Sequence, residues 1–509
     1  MRLPLCVCLH LLFCFLASVA AGASPRPNIL LAISDDQSFA HTSIAGYPAI
    51  QTPAFDRVAR EGVLFTGAIC GSPGCSPSRA SLLTGRYPWQ IEHAGTHASS
   101  FPASYAVYPE LLEQAGYFVG YTGKGWGPGN WKISGRQQNP AGESYSSVKS
   151  TEDLPQSVNK NDYAGNFAAF LKARPAGKPF CFWYGATEPH RAFEAGIGLK
   201  RGKKLADADL PGFLPDTPEV RSDLLDYCVE IEHFDEHLGR MLKMLEEAGE
   251  LDQTLVVVTS DNGMAFPAAK ANCYEYGIHV PLAIRWPAES PGNRVVDDLV
   301  GFVDLAPTFL EIAGLDVPEA MTGSSLFKLL RSGKQEQVEG NRDQIFSARE
   351  RHSSSRYDNL AYPQRALRTH DYLLIRNFRP DRWPAGAPQR LNADGTLNSP
   401  HSGYHDIDAC PTLSLLVQRR DDPQIAPYFH NAVDKRPEYE LFDIRQDPGC
   451  RKNLAGTMAL AMVEGKLKEQ LNNYLRQTKD PRILDGGEIF ETYPRYSPIR
   501  KFPAPASSK

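Results

Sequence analysis

The chain has 509 residues, 42% of them hydrophobic and 22% charged, with a formal net charge of −5. That is the composition of an ordinary folded protein, and it excludes disordered, collagen-like and coiled-coil readings as well as a basic field suited to nucleic acid or anionic membranes. The length bounds the domain count at about three, and one large α/β domain with a smaller companion fits it.

At the N-terminus, Arg2 precedes an apolar run from Leu5 to Leu16 and then the small residues Ala17-Ser18-Val19-Ala20-Ala21-Gly22-Ala23. This is the pattern of a secretory signal, so residues 1–23 are expected to be removed and the protein exported. A membrane span needs about 20 consecutive apolar residues, and no such run occurs. The chain also lacks an Asn-x-Ser/Thr acceptor with a permitted middle residue, which favours a bacterial periplasmic or extracellular protein. Once Cys6, Cys8 and Cys14 leave with the signal, seven of the ten cysteines remain. An odd set with these spacings matches neither a disulfide framework nor a zinc site, so one thiol is expected to be reactive or chemically altered.

The run Asn28 to Ser34 is apolar throughout and closes with Asp35-Asp36, as expected of a parallel strand buried on both faces. A helix is predicted from Thr52 to Glu61, with Thr at the cap, Pro in the first turn and Gly at the stop. Next comes Gly74-Cys75-Ser76-Pro77-Ser78-Arg79, whose Ser-Pro-Ser segment starts a helix and leaves Cys75 just before its N-terminus. A helix N-terminus stabilises negative charge, so an anion or an activated nucleophile belongs there. Tyr117 to Thr122 is a short strand, the polar loop Gly129 to Asn161 is expected to be mobile or substrate-facing, and Lys178 to Gly185 is a further strand. The clearest helix runs from Glu219 to Ala248, with Leu224, Leu225, Cys228, Ile231, Phe234 and Leu238 at helical spacing. Thr254 to Ser260 repeats the buried-strand pattern and ends in Asp261-Asn262-Gly263. This alternation predicts a doubly wound α/β sheet.

From about Ser347 the texture changes to short aromatic-rich strands, such as Tyr372 to Ile375 and Tyr439 to Phe442, followed by a helix at about Met458 to Gln477. We therefore expect a catalytic domain over 24–365, an α+β subdomain with an antiparallel sheet over 366–485, and an extended Pro- and Ser-rich tail over 486–509.

Open α/β sheets bind ligands beyond the carboxyl ends of their strands. Asp35, Asp36, Asp261 and Asn262 occupy such ends and together offer a hard, oxygen-rich site suited to Ca²⁺ or Mg²⁺ rather than zinc. Each acidic pair taken alone equally suits a cap on the loop it begins. A soft thiolate at Cys75 is a poor companion for such a cation, and an oxygen in its place resolves the mismatch.

Cys75-Ser76-Pro77-Ser78-Arg79, continued by Ala80-Ser81-Leu82-Leu83-Thr84-Gly85 and flanked in order by Asp35-Asp36 and Ser260-Asp261-Asn262-Gly263, resembles the signature of the type I sulfatases. In that family the cysteine is oxidised to formylglycine, whose hydrate supplies oxygens. Tyr439 to Leu454 is similar to the family's C-terminal segment. The resemblance implies an alkaline-phosphatase-like doubly wound mixed sheet with a smaller C-terminal α+β domain. It also implies hydrolysis of a sulfate ester or sulfamate of a sulfated saccharide, and a formylglycine-generating enzyme or anaerobic maturase as a partner. By the same resemblance Asp35, Asp36, Asp261, Asn262 and modified Cys75 hold Ca²⁺, with Mg²⁺ the alternative. Arg79 steadies the hydrate, Lys124 and Lys270 contact sulfate, and His190 binds sulfate and protonates the leaving atom. The family usually has Lys-x-His where this chain has Lys124-Gly125-Trp126. His93 or His97, or the metal with solvent, then takes the base role, and Trp126 is free to stack on a sugar.

Phe213 to Pro218, Asp261 to Pro267 with Lys270 following, and Tyr362 to Arg365 after His352 look most like the heparan N-sulfatase branch. That likeness implies an N-sulfoglucosamine-type substrate, with His352 a substrate contact. An exo-acting O-sulfatase or arylsulfatase is the alternative, followed by a catalytically defective relative that binds sulfated glycans. A phosphatase of the same superfold carries Ser or Thr where Cys75 stands.

Overall fold

The computed structural model describes residues 26–505, so the expected signal at 1–23 lies outside the described residues. The strands of the first part are β1 (Asn28–Ser34), β2 (Val63–Phe65), β3 (Ala68–Ile69), β4 (Phe118–Gly123), β5 (Glu143–Ser144), β6 (Phe180–Gly185), β7 (Thr254–Ser260), β8 (Leu282–Arg285), β9 (Arg294–Val296) and β10 (Val300–Gly301). β11 (Gln344–Arg349), β12 (Gln364–Thr369), β13 (Tyr372–Asn377) and β14 (Tyr439–Asp443) follow.

Eight strands form one mixed sheet in the order β5-β4-β6-β1-β7-β8-β2-β9. β4, β6, β1 and β7 run parallel, while β8 is antiparallel to both β7 and β2. Every residue of β1, β6 and β7 is buried, which is why these segments are apolar without alternation. Register then positions the chemistry. Ser34 pairs with Ser260, so Asp35-Asp36 and Asp261-Asn262 leave neighbouring parallel strands at the same edge of the sheet.

Helices cover both faces. Pro53–Glu61 packs on the 30-residue helix Pro218–Glu247. Thr52 precedes the shorter helix but makes no capping bond, because its hydroxyl is used by Ser43 and Asp56. Asp235 of the long helix caps it instead, accepting from Ala54 N at 2.8 Å and Phe55 N at 2.7 Å. Among the described residues no helix is long and apolar enough to cross a membrane.

β11 to β14 form a separate antiparallel sheet in sequence order. It is covered by the helix Ala461–Gln477 through Leu467, Leu471 and Leu475. This sheet begins at Gln344, so the boundary expected between 365 and 366 falls inside β12, and we place the start of the smaller domain at β11. Part of the tail expected to be extended over 486–509 instead forms a short helix, Ile489–Thr492, and buries Phe490, and just before it Pro481–Leu484 is also helical and buries Arg482. A buried ionic network holds it: Arg365 pairs with Asp480 (2.6 Å) and Glu350 (2.8 Å), and Arg482 pairs with Glu350 (2.6 Å). Pro and Ser content carries no trace of such long-range pairs.

His41 is buried among Tyr47, Tyr227 and Tyr276, and burial pushes its pKa from 6.5 down to about 3. The folded state holds the neutral ring, so the unfolded chain binds the extra proton and stability falls as pH drops from 6.5 toward 3. Near pH 5 this one ring costs about 2 kcal/mol. Denaturant unfolding at about pH 7.5 and about pH 5 tests this: the parent should lose about 2 kcal/mol more stability than His41→Phe over that interval.

Candidate active site

The helix Cys75–Thr84 is buried along its whole length and points its N-terminus at the Asp35-Asp36 edge of the sheet. Its C-cap, Gly85, adopts φ 63° and returns its N–H to Ser81 O, the left-handed turn that glycine adopts without strain. At the other end Gly74 allows a close approach, because a Cβ there would lie 2.9 Å from His352 Cδ2. Asp36 itself sits at φ 77°, an uncommon conformation for a residue with a side chain. Tyr227 holds it there, donating its hydroxyl to Asp36 O at 3.1 Å, while Asp36 N donates to Asp261 Oδ1 at 3.1 Å.

Cys75 Sγ lies 3.4 Å from Asp35 Oδ1 and 4.0 Å from Asp36 Oδ1. Asn262 donates its amide to Asp36 Oδ1 at 2.7 Å, and its Oδ1 is buried without a hydrogen-bond partner. Three buried carboxylates in one cluster require compensating charge. Arg79 Nε pairs with Asp261 Oδ2 (2.7 Å), Lys124 Nζ with Asp35 Oδ2 (2.5 Å) and Lys270 Nζ with Asp36 Oδ2 (2.6 Å). Burial raises the Asp35 carboxyl, but Lys124, His190, Arg79 and Lys270 together hold it well below the usual range. Burial and the charge of Asp35 push Asp261 upward. Carboxylate oxygens from Asp35, Asp36 and Asp261 plus the unpartnered Asn262 Oδ1 make a hard donor set, and these residues fit a Ca²⁺-type ion.

Burial pushes the Cys75 thiol far up and Asp35 adds to it, outweighing Lys124 and Lys270. A cysteine here stays a protonated thiol rather than an active thiolate. Arg79 Nη2, by contrast, is a buried donor with no hydrogen-bond partner, 3.9 Å from Asp35 Oδ1. An oxygen-bearing side chain at position 75 fits these surroundings better than sulfur does.

His190 is fixed by a 2.7 Å hydrogen bond between its Nδ1 and Arg191 O, and its Nε2 faces Asp36 Oδ2 at 3.9 Å. Arg191 in turn pairs through both terminal nitrogens with Asp223 (2.6 and 2.9 Å) and lies between Phe193 and Phe266, anchoring the loop. Cys75, His97, His190, Lys270, His352 and Asp408 line a cavity of about 290 Å³. A second cavity of about 740 Å³ shares Pro128 and His190 and reaches Asp35, Lys124, Ser157 and Asn159. Of the polar loop between 129 and 161, the stretch Gln156 to Asn159 faces this cleft.

The structure brings Asp35, Asp36, Cys75, Arg79, Lys124, His190, Asp261, Asn262, Lys270 and His352 into one region. Trp126 departs from its expected use. It is buried, packs edge-on against Phe101 and donates its indole N–H to Ser76 O at 3.0 Å, bracing the cysteine helix rather than offering a face to a sugar. Of the two candidate histidines, His97 lines the cavity and packs against His352 with its ring tilted, whereas His93 stacks on Tyr493. Asp408 escaped the sequence reading. It pairs with Lys270 at 2.9 Å, and Lys270, His190 and His352 hold it ionised against burial. Its only sequence signal is the acidic Asp406-Ile407-Asp408 spacing, which no motif distinguishes from a surface turn.

The model of the Sulfatase family matches residues 27–315, and that of the N-sulphoglucosamine sulphohydrolase C-terminal domain matches residues 268–385. The chain is 28% identical to human N-sulphoglucosamine sulphohydrolase over 512 aligned residues, covering 94% of this chain and 96% of that one. It is 26% identical to an ulvan-active sulfatase of Formosa agariphila, over 91% of this chain and 77% of the relative. Among solved structures, BT4656 in complex with its substrate D-glucosamine-2-N,6-O-disulfate aligns with a TM-score of 0.64 at 21% identity, covering 89% of this chain and 98% of that chain. The likeness of fold spans both sheets.

Proposed function

The chain belongs to the sulfatase family, and we propose that it hydrolyses the N-sulfate of an N-sulfoglucosamine unit, using a formylglycine made from Cys75. The setting of Cys75 carries this reading: a thiol kept protonated, placed at a helix N-terminus and surrounded by oxygen ligands and cations. When present, the formylglycine hydrate supplies the nucleophilic oxygen and the divalent cation supplies Lewis-acid charge. Asp35, Asp36, Asp261 and Asn262 would hold that cation, with Ca²⁺ favoured over Mg²⁺ for this carboxylate-rich set.

The remaining steps fall to this chain's own side chains. Arg79 offers its unpartnered Nη2 to an oxygen at position 75. Lys124 and Lys270 offset charge on the sulfuryl group, drawing on ammonium groups otherwise tied to Asp35 and Asp36. His190 Nε2 protonates the departing nitrogen, its ring held at Nδ1 by Arg191 O. His97, kept neutral by burial beside His352, is the proton acceptor that replaces the histidine absent at Trp126. Asp408 accepts a hydrogen bond from a sugar hydroxyl, and His352 adds a contact from the second domain. A cavity of about 290 Å³ suits one sugar ring at a chain end. Export directed by residues 1–23, and modification by a formylglycine-generating enzyme or anaerobic maturase, belong to the same proposal.

The preference for N-sulfate rests on the C-terminal domain match and on the human relative. Sulfate release from glucosamine N-sulfate, N-acetylglucosamine 6-sulfate and an aryl sulfate tests it. The N-sulfated sugar should show a kcat/KM at least about tenfold above the others. A preference for the 6-sulfate turns the assignment to an exo-acting O-sulfatase, and release from none of the three refutes the proposal.

A further inference from the structure

The outer wall of the Cys75 cavity is a strap of the C-terminal segment, from which Arg495, Ser497, Pro498 and Arg500 line it beside Ser353. The strap is built into the fold. Arg351 Nη1 donates to Tyr493 O (2.8 Å), Ser99 Oγ to Pro494 O (2.8 Å) and Tyr496 N to Ala98 O (2.7 Å), and Phe502 is buried. The two guanidinium groups it carries meet only neutral acceptors: Arg495 Nη1 donates to His352 O (3.1 Å), and Arg500 Nη1 donates to Ser353 Oγ (3.3 Å). Arg495 Nε is buried without any hydrogen-bond partner. Asp406, whose charge reaches Arg495, is already engaged by Arg349 (2.5 Å) and Arg356 (2.6 Å). Among the described residues most buried arginine side chains pair with a carboxylate, as Arg79, Arg191, Arg365 and Arg482 do, although Arg351 beside the strap does not.

Two cations that line one cavity, with donors to spare and no acid of their own, are a receptor for an oxyanion. We propose that Arg495 and Arg500 form a second anion subsite, distinct from Lys124 and Lys270, that takes a further sulfate or carboxylate on the same saccharide. This rests on the reading of the substrate as a sulfated saccharide, and it makes the enzyme selective for sugars carrying two anionic groups. The strap and the cysteine helix bound the same cavity of about 290 Å³, so the second anion belongs to the sugar undergoing cleavage or to its immediate neighbour.

The test compares kcat/KM for glucosamine N-sulfate with two doubly anionic sugars: glucosamine N,6-O-disulfate, and a disaccharide joining N-sulfoglucosamine to a uronate. Each ratio of doubly to singly anionic substrate is measured in the parent, in Arg495→Gln and in Arg500→Glu. Arg500 is exposed, so its charge reversal spares the fold; unfolding midpoints of both variants verify this. A fall of about 10- to 100-fold in the disulfate ratio assigns a sulfate to the subsite, and the same fall in the uronate ratio assigns a carboxylate. Ratios equal to the parent's in both arms overturn the subsite. If none of the three sugars is turned over, the functional reading fails, and calorimetric binding of the same sugars decides the subsite separately. Weaker binding of the doubly anionic sugars to Arg500→Glu then supports it, and equal binding overturns it.

Discussion

Cys75→Ser should lower multiple turnover by about 10⁵-fold or more while leaving the protein folded and able to bind cation and saccharide. Serine replaces one buried sulfur by a smaller oxygen at the end of a helix whose packing lies elsewhere, on Leu82, Leu83 and Ala80. The expected stability change is therefore within about 1 kcal/mol. The carboxylates of Asp35, Asp36 and Asp261 and their partners Arg79, Lys124 and Lys270 are untouched. The loss is chemical. An alcohol at position 75 has no second hydroxyl with which to expel sulfate and regenerate a carbonyl, so at most one sulfuryl group transfers and then stays. Rapid-mix and steady-state sulfate release distinguish the outcomes, and sustained turnover by the serine variant would refute the aldehyde chemistry.

His190→Gln carries the second large effect, a fall in kcat of about 10²- to 10⁴-fold on sugar sulfates and sulfamates. The argument is geometric: Nδ1 is committed to Arg191 O, Nε2 points to the acidic cluster, and the side chain is 37% exposed into two adjoining cavities, open to a departing group. Glutamine keeps a hydrogen-bond donor but cannot deliver a proton. An aryl sulfate with an acidic phenol needs no such proton, so its rate should fall by less than about tenfold. Equal losses on both substrate types would assign His190 to sulfate binding rather than to proton donation.

What the sequence made legible follows from how local each signal is. β1 and β7 were readable to the residue because strands buried on both faces must be apolar throughout and must stop at the first charge, here Asp35 and Asp261. The cysteine helix was readable because Pro77 and Gly85 mark its two ends. Thr52 stands at the N-cap of Pro53–Glu61, but the oxygens that accept its first N–H groups belong to Asp235, far along the chain, where no local pattern points to it. The same holds for the segment leading into the tail, where Arg482 and Asp480 are bound to Glu350 and Arg365 across the fold. Asp408 and the strap arginines face the cavity only because of tertiary packing, and neither follows a spacing rule. Trp126 has the site's position but not its exposure, which only packing against Phe101 reveals.

The central claim is that the working group at position 75 is an aldehyde. The most direct measurement is the mass of the proteolytic peptide ending at Arg79, taken from a preparation whose sulfate release has been assayed. The peptide should be lighter than its coded composition by the replacement of –CH₂SH with –CHO, in a fraction that tracks specific activity. An unmodified thiol throughout a preparation that turns over sulfated substrate would contradict the account.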